Sequence, residues 1–142
     1  MTDIVLFSTT DTANGRPEVL ERMLASVACE LKRMPEGTNC MLALLLQNCP
    51  DERLRALQAT FPPFVAPVAV PGRTSLSAAR NTLFNCLRHG QIGPDAVVGF
   101  PDDDCWYPDG SLAFIVQQFA RRATLDFWFS RYAALPSAPK DE

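Results

Sequence analysis

Three consecutive aspartates, Asp102, Asp103 and Asp104, follow the apolar run Ala96-Val97-Val98-Gly99-Phe100-Pro101 and precede Cys105-Trp106-Tyr107-Pro108. The pattern places carboxylates at the carboxyl end of a buried strand. Like charges within a few ångströms repel, so carboxylates that stay ionised side by side commonly share a divalent cation, and hard oxygen ligands suit Mg²⁺ or Mn²⁺. In an extended turn alternate residues project to one side, so Asp102 and Asp104 are expected to face one ligand while Asp103 points away. A metal-bound phosphate ester is the ligand this chemistry suggests. The plain alternative is a solvated acidic turn ahead of Pro108-Asp109-Gly110.

Other residues with chemical potential are scattered. Arg80 and Asn81 sit early in a helical pattern, where a guanidinium would reach a phosphate or a base carbonyl, although a surface arginine beside an exposed amide fits the spacing better. The only histidine, His89, falls in the last turn of that pattern beside Arg88, where a cation suits the helix dipole, so a structural role is expected. Trp106 and Tyr107 are placed to stack on a sugar or base; Phe127, Trp128 and Phe129 read as core. A Ser-His-Asp hydrolase has little support with one histidine and no Gly-x-Ser-x-Gly, and the P-loop and dinucleotide fingerprints are both absent.

The elements that must position these residues follow from hydrophobic periodicity. Residues 3 to 8 and 40 to 46 are apolar runs of strands covered on both faces, and 64 to 70 is a third strand with Pro67 marking an edge. Residues 95 to 100 make a fourth, and Thr124 to Tyr132 reads as one more. Between them, Val19, Leu20, Met23, Leu24, Val27, Leu31 and Met34 recur at helical spacing after Pro17 and before Pro35-Glu36-Gly37. Asp51 is expected to cap a short helix with Leu54 and Leu57. Ser75 or Thr74 would cap one burying Leu76, Ala79, Leu83, Cys86 and Leu87, with Gly90 at its C′ position. Asp109 or Ser111 would cap the last, carrying Leu112, Ile115, Val116 and Phe119.

Strands alternating with helices imply an α/β fold, a mainly parallel Rossmann-like sheet flanked by helices, as a single domain over residues 1–134 with a frayed tail at 135–142. Ligands in such sheets bind outside the carboxyl ends of the strands. The aspartates lie there, as do Thr9 and Asp11 after the first strand and Asn48 after the second.

Composition narrows the class. The chain of 142 residues, 47% hydrophobic and 20% charged, supports one ordinary core. No apolar run reaches the roughly 18 residues of a membrane span, and the first residues lack the basic region of a signal peptide, so a cytoplasmic protein is expected. Five cysteines without CxxC spacing fit reduced thiols, and a zinc site is not expected. A net charge of −3 gives no electrostatic footprint for duplex nucleic acid.

Together the segments resemble the family 2 glycosyltransferases of the GT-A nucleotide-diphosphosugar transferase fold. Arg16-Pro17-Glu18-Val19-Leu20-Glu21-Arg22-Met23-Leu24 is similar to that family's first helix, Ser77-Ala78-Ala79-Arg80-Asn81 to its Ala-Arg-Asn helix, and Phe100 to Pro108 to its DxD segment. The matches occur in the family's order and span residues 4 to about 120. The resemblance implies an inverting, metal-dependent glycosyltransferase. Asp102 would contact the ribose or the metal, Asp104 would ligate Mn²⁺ or Mg²⁺ on the donor's diphosphate, and Arg80 would hold the base or phosphates. Thr9 and Asp11 would lie at the nucleotide, with Asn48 and Asp103 at the same site.

Two departures matter. Many members place a base-reading aspartate after the second strand, whereas here the strand ends Leu46-Gln47-Asn48-Cys49, so UDP is not implied. The family's acceptor-binding half, with its carboxylate general base, follows the DxD segment, so this chain is expected to be the donor half, with the acceptor site supplied by a partner chain or oligomer. The acceptor itself is not indicated. Two other readings compete: a non-catalytic nucleotide-sugar-binding or assembly module with this fold, and a metal-dependent phosphoesterase built on the aspartates.

Overall fold

The computed structural model describes residues 2–87, 91–128 and 130. Its elements run β1 (Thr2–Asp11), α1 (Pro17–Leu31), β2 (Cys40–Gln47), α2 (Asp51–Gln58), β3 (Val65–Ala69), α3 (Leu76–Cys86), β4 (Ile92–Gly99) and α4 (Ser111–Arg121). The strands form one sheet in the order β3-β2-β1-β4, and every pairing is parallel. The fold is therefore α/β and Rossmann-like, as the alternation of elements required.

Period-two projection splits the sheet's side chains between two cores. Ile4, Leu6, Leu42, Leu44 and Leu46 face one side, where they pack with Leu20, Met23, Leu24 and Val27 of α1 and Leu112 of α4; Leu54 and Leu57 of α2 join this layer. Val5, Phe7, Ala43 and Leu45 face the other side, against Ala79 and Leu83 of α3. The central strands are buried on both faces, which is why they read as unbroken apolar runs. Pro67 lies on the edge strand β3, paired with Leu44, where its missing donor costs no ladder bond.

Several local expectations are corrected. α1 ends at Leu31, ahead of the Pro35–Gly37 breaker, and α2 takes Asp51 as its first residue with Pro50 at the N-cap. Ser75 does cap α3, accepting from the Ala78 amide at 3.2 Å. Its buried stripe is only Ala79 and Leu83: Leu76 in the first turn is 47% exposed and Cys86 is exposed too, because α3 alone covers this face. β4 starts at Ile92, three residues earlier than expected, with its pairing to β1 shifted between Thr2 and Ile4. Residues 124–128 and 130 form no strand; Phe127 is 77% exposed and Trp128 sits edge-on to Phe114. Aromatic residues favour strands only where a partner strand and a packing surface receive them. His89, Gly90, Phe129 and the tail at 135–142 lie outside the described residues.

The cap of α4 is the most consequential correction. Neither Asp109 nor Ser111 provides it: Gly110 occupies the N-cap in the left-handed region at φ 81°. The open amides turn to a carboxylate from another helix. Glu30 of α1, 1% exposed, accepts from Gly110 N at 2.8 Å, Leu112 N at 2.6 Å and Ala113 N at 3.3 Å. Arg33 lies 3.4 Å from the same carboxylate and 3.5 Å from Asp109. A helix N-terminus has unsatisfied donors and a positive dipole end, so one buried anion answers both. Replacing Glu30 with Ala leaves those amides unpaired and is expected to cost about 2–4 kcal/mol, with Glu30→Gln costing clearly less because it keeps an acceptor oxygen. Urea unfolding midpoints test this; a Glu30→Ala change under about 0.5 kcal/mol would contradict it.

Candidate functional site

Strand order reverses between β1 and β4. The chain passes from β1 outward through β2 to β3, then crosses back to place β4 on the other side of β1. The loop leaving β1 leads to α1 and the loop leaving β4 leads to α4, and these helices pack on one face, so the usual ligand position outside the carboxyl ends of the strands is the edge these two loops share. α3, on the β3-to-β4 crossover, packs on one face while α1 packs on the other. The acidic triplet leaves β4 at this point.

Asp102 and Asp104 come together as their alternation predicted. Their carboxylate oxygens and Cys105 Sγ all lie within 4.8 Å of one another, on exposed side chains, while half-buried Asp103 stands outside the group. A turn closed by Cys105 N on Asp102 O at 3.2 Å sets the arrangement. From the α3 side, Arg80 Nη2 approaches Asp102 Oδ1 at 3.8 Å, with its guanidinium 5.1 Å from the Phe100 ring. Phe100 in turn stacks on Phe7 at 5.6 Å and 20°. The structure thus brings Arg80 beside Asp102, a pairing that its spacing in the sequence did not indicate.

From the other face α1 grips the same segment. Arg22 Nη2 donates to the Asp104 carbonyl at 3.2 Å and lays its guanidinium 4.0 Å from the Trp106 centroid. Ser26 Oγ accepts from Tyr107 N at 3.0 Å, and Glu30 holds the start of α4. Residues 22, 26 and 30 are four apart and share one helix edge. Sequence reasoning missed all three. The available signal was Glu30, a charged residue in the apolar stripe set by Leu20, Met23, Leu24 and Val27.

The donor set fits a hard divalent cation. Burial, and then the charge of Asp104, push the Cys105 thiol up, and Sγ donates to Asp104 Oδ1 at 3.6 Å. Carboxylate oxygens of Asp102 and Asp104 remain, which suits Mg²⁺ or Mn²⁺ that keeps waters or phosphate oxygens for its other positions. Tyr107, pushed up to about 12 by burial, is a neutral wall behind the loop.

Thr9, Asp11 and Asn48 are brought together with one another in a second group. Asp11 Oδ1 accepts from Asn48 Nδ2 at 3.0 Å and from the amides of Ala13 at 2.9 Å and Asn14 at 3.1 Å; Oδ2 accepts from Asn14 Nδ2 at 3.1 Å. Asn48 adopts φ 49°, a region asparagine tolerates. Gly15 closes the loop, its amide 2.7 Å from Asp11 O, where an added Cβ would clash with that oxygen. Thr9 Oγ1 donates to Leu45 O at 3.0 Å and accepts from Gln47 Nε2 at 2.9 Å, while Gln47 Oε1 accepts from Thr74 N at 2.9 Å. Gln47, also missed, ties β1, β2 and the approach to α3 together.

No family model, curated protein or solved structure matches the chain. No helix among the described residues is long and apolar enough to cross a membrane.

Asn48 first, then Asn14 and the loop amides, hold the Asp11 carboxyl well below the usual carboxylate range. A folded-state value lower than the unfolded one contributes stability that is present above the ordinary value of 3.8 and lost as the pH falls through the folded value. The stability difference between wild type and Asp11→Asn should thus be constant above about pH 5 and shrink as the pH falls below about 4. Urea midpoints over a pH series measure it, and a difference unchanged down to about pH 3 would contradict the assignment.

Proposed function

We propose that the chain binds a nucleotide-diphosphosugar together with Mn²⁺ or Mg²⁺, as the donor-binding part of an inverting glycosyltransferase of the family 2 type. The observation that carries this reading is the gathering of Asp102 and Asp104 within 4.8 Å, with Arg80 beside Asp102, at the carboxyl edge where the strand order reverses. Short acidic turns are common on surfaces; this one follows the strand at which the order reverses and has a guanidinium on each side. The resemblance of the Arg16–Leu24, Ser77–Asn81 and Phe100–Pro108 segments to that family supports the same reading.

In this role Asp102 and Asp104 would hold the cation, and a cation so placed neutralises charge on a departing nucleoside diphosphate. Arg80 would exchange its contact with Asp102 for a phosphate oxygen, the geometry for which a guanidinium is suited. Arg22 fixes the acidic turn through the Asp104 carbonyl, so the ligating carboxylates are set before the donor arrives. Thr9 and Asp11 would form the wall at the nucleotide. Their polar atoms already bond one another and their loop, so they shape the site more than they donate to it. Transfer to an acceptor hydroxyl would use a general base and acceptor surface from a partner chain or further sequence.

Isothermal titration with UDP-, GDP- and dTDP-sugars, with and without Mn²⁺, tests the proposal. Metal-dependent binding of one donor class is expected, weakened at least about tenfold in Asp104→Asn while its circular dichroism is unchanged. Absence of binding with metal present, or binding indifferent to Asp104→Asn, would overturn it. Binding without donor hydrolysis or transfer on any acceptor would favour the non-catalytic module, and phosphate release from simple esters the phosphoesterase.

A further inference from the structure

A second cleft lies on the α1 and α2 face, away from the Arg80–Asp102 pair. Of the polar side chains that line it, Asp11, Thr12 and Arg53 have hydrogen-bond partners. Thr10 differs: the residue is only 6% exposed, and its hydroxyl makes no hydrogen bond among the described residues. Ser8 Oγ is also unpartnered but fully enclosed, whereas Thr10 lines an open cleft of about 80 Å³. Because the cleft is open, water can serve this hydroxyl, and a ligand atom in reach could take that water's place without breaking a bond within the protein.

The rest of the lining defines that ligand. Leu20, Leu46 and Leu57 give it an apolar floor, and Arg16 and Arg53 stand at the rim beside the amino end of α1. Arg53 Nη1 donates to Thr12 Oγ1 at 3.1 Å and to Asn48 O at 3.0 Å, both neutral acceptors, and neither arginine has an ion pair among the described residues. Asp11 also lines the cleft, but its carboxylate is turned to the loop amides and the two asparagines. Two guanidiniums thus face one carboxylate already in use. The Thr10 hydroxyl opens into this space next to Gly15, 3.5 Å from where a Cβ on that glycine would sit.

We propose that this cleft binds a small monocarboxylate with a short branched apolar body, the body on Leu20, Leu46 and Leu57 and the carboxylate accepting from the Thr10 hydroxyl beside Arg16 and Arg53. The site is independent of the acidic turn. Neither a bare anion nor a bare hydrocarbon satisfies both halves of the lining, so the two features are expected to act together.

Amide chemical-shift titrations of the full chain with isobutyrate, inorganic phosphate and isobutanol separate the possibilities. Isobutyrate should shift Thr10, Gly15, Leu20 and Leu46 while leaving Asp102 to Asp104 unmoved, and should bind at least about tenfold tighter than phosphate or isobutanol, the worth of one hydrogen bond to a charged group. Thr10→Val, nearly isosteric, should weaken isobutyrate by about tenfold without lowering the unfolding midpoint, because the hydroxyl it removes has no partner to lose. Asp104→Asn should leave isobutyrate binding unchanged, which separates this site from the nucleotide-sugar reading. Equal binding of phosphate or isobutanol, an unaltered affinity in Thr10→Val, or no shift at the cleft by about 20 mM isobutyrate would each overturn the proposal.

Discussion

The buried carboxylate of Glu30 is the interaction on which the candidate site depends. β4 leaves its pairing with β1 at Gly99, and from there to the start of α4 no ladder fixes the chain. What fixes it is one edge of α1. Arg22, Ser26 and Glu30 take hold of Asp104, Tyr107 and the first amides of α4 in turn. Residues 22 to 30 span about 12 Å of helix, enough to match the whole segment from acidic turn to helix start. α1 is itself set by Leu20, Met23, Leu24 and Val27 against the sheet, so the carboxylates of Asp102 and Asp104 are located by the core at one remove.

This arrangement resolves a conflict in the segment. An acidic turn is self-repelling, and a helix with Gly110 at its N-cap has no side chain of its own to meet its free amides. A cap from a distant helix answers the second problem, and cations at the turn answer the first from both faces, Arg80 from α3 and Arg22 from α1. The bracketing is then a consequence of winding: α1 joins β1 to β2 on one face and α3 crosses from β3 to β4 on the other, so their flanks stand on either side of whatever leaves β4.

Most of this architecture could be read from residue order. Ile4 to Phe7 and Leu42 to Leu46 are apolar on both faces because they are central strands, and Pro67 marks an edge because it cannot donate. Adjacency placed Asp102 and Asp104 together, whereas the spacing of Arg80 fitted a surface arginine and only the family resemblance put it at the same ligand. The parts that escaped depend on contacts distant in sequence. Capping rules look a few residues either way, so they pointed to Asp109 and Ser111 and not to a carboxylate 80 residues earlier. Leu76 looked buried because spacing cannot tell how far a sheet extends beneath a helix. Over the described residues 124–128 and 130 the expected strand does not form, for want of a partner strand, which propensity alone does not supply. Asp11 and Asn48 were located correctly, but that they would satisfy each other depended on the register of β1 on β2, Asp11 opposite Gln47.

Hydrogen exchange at the first turn of α4 tests the central claim most directly. First-turn amides of a helix usually face water and exchange fast, because no carbonyl of their own helix accepts them. If Glu30 holds this turn, Leu112 and Ala113 will exchange as slowly as amides in β1 and β2, through global unfolding alone. Fast exchange at Leu112, at the rate of a fraying helix end, would contradict the account.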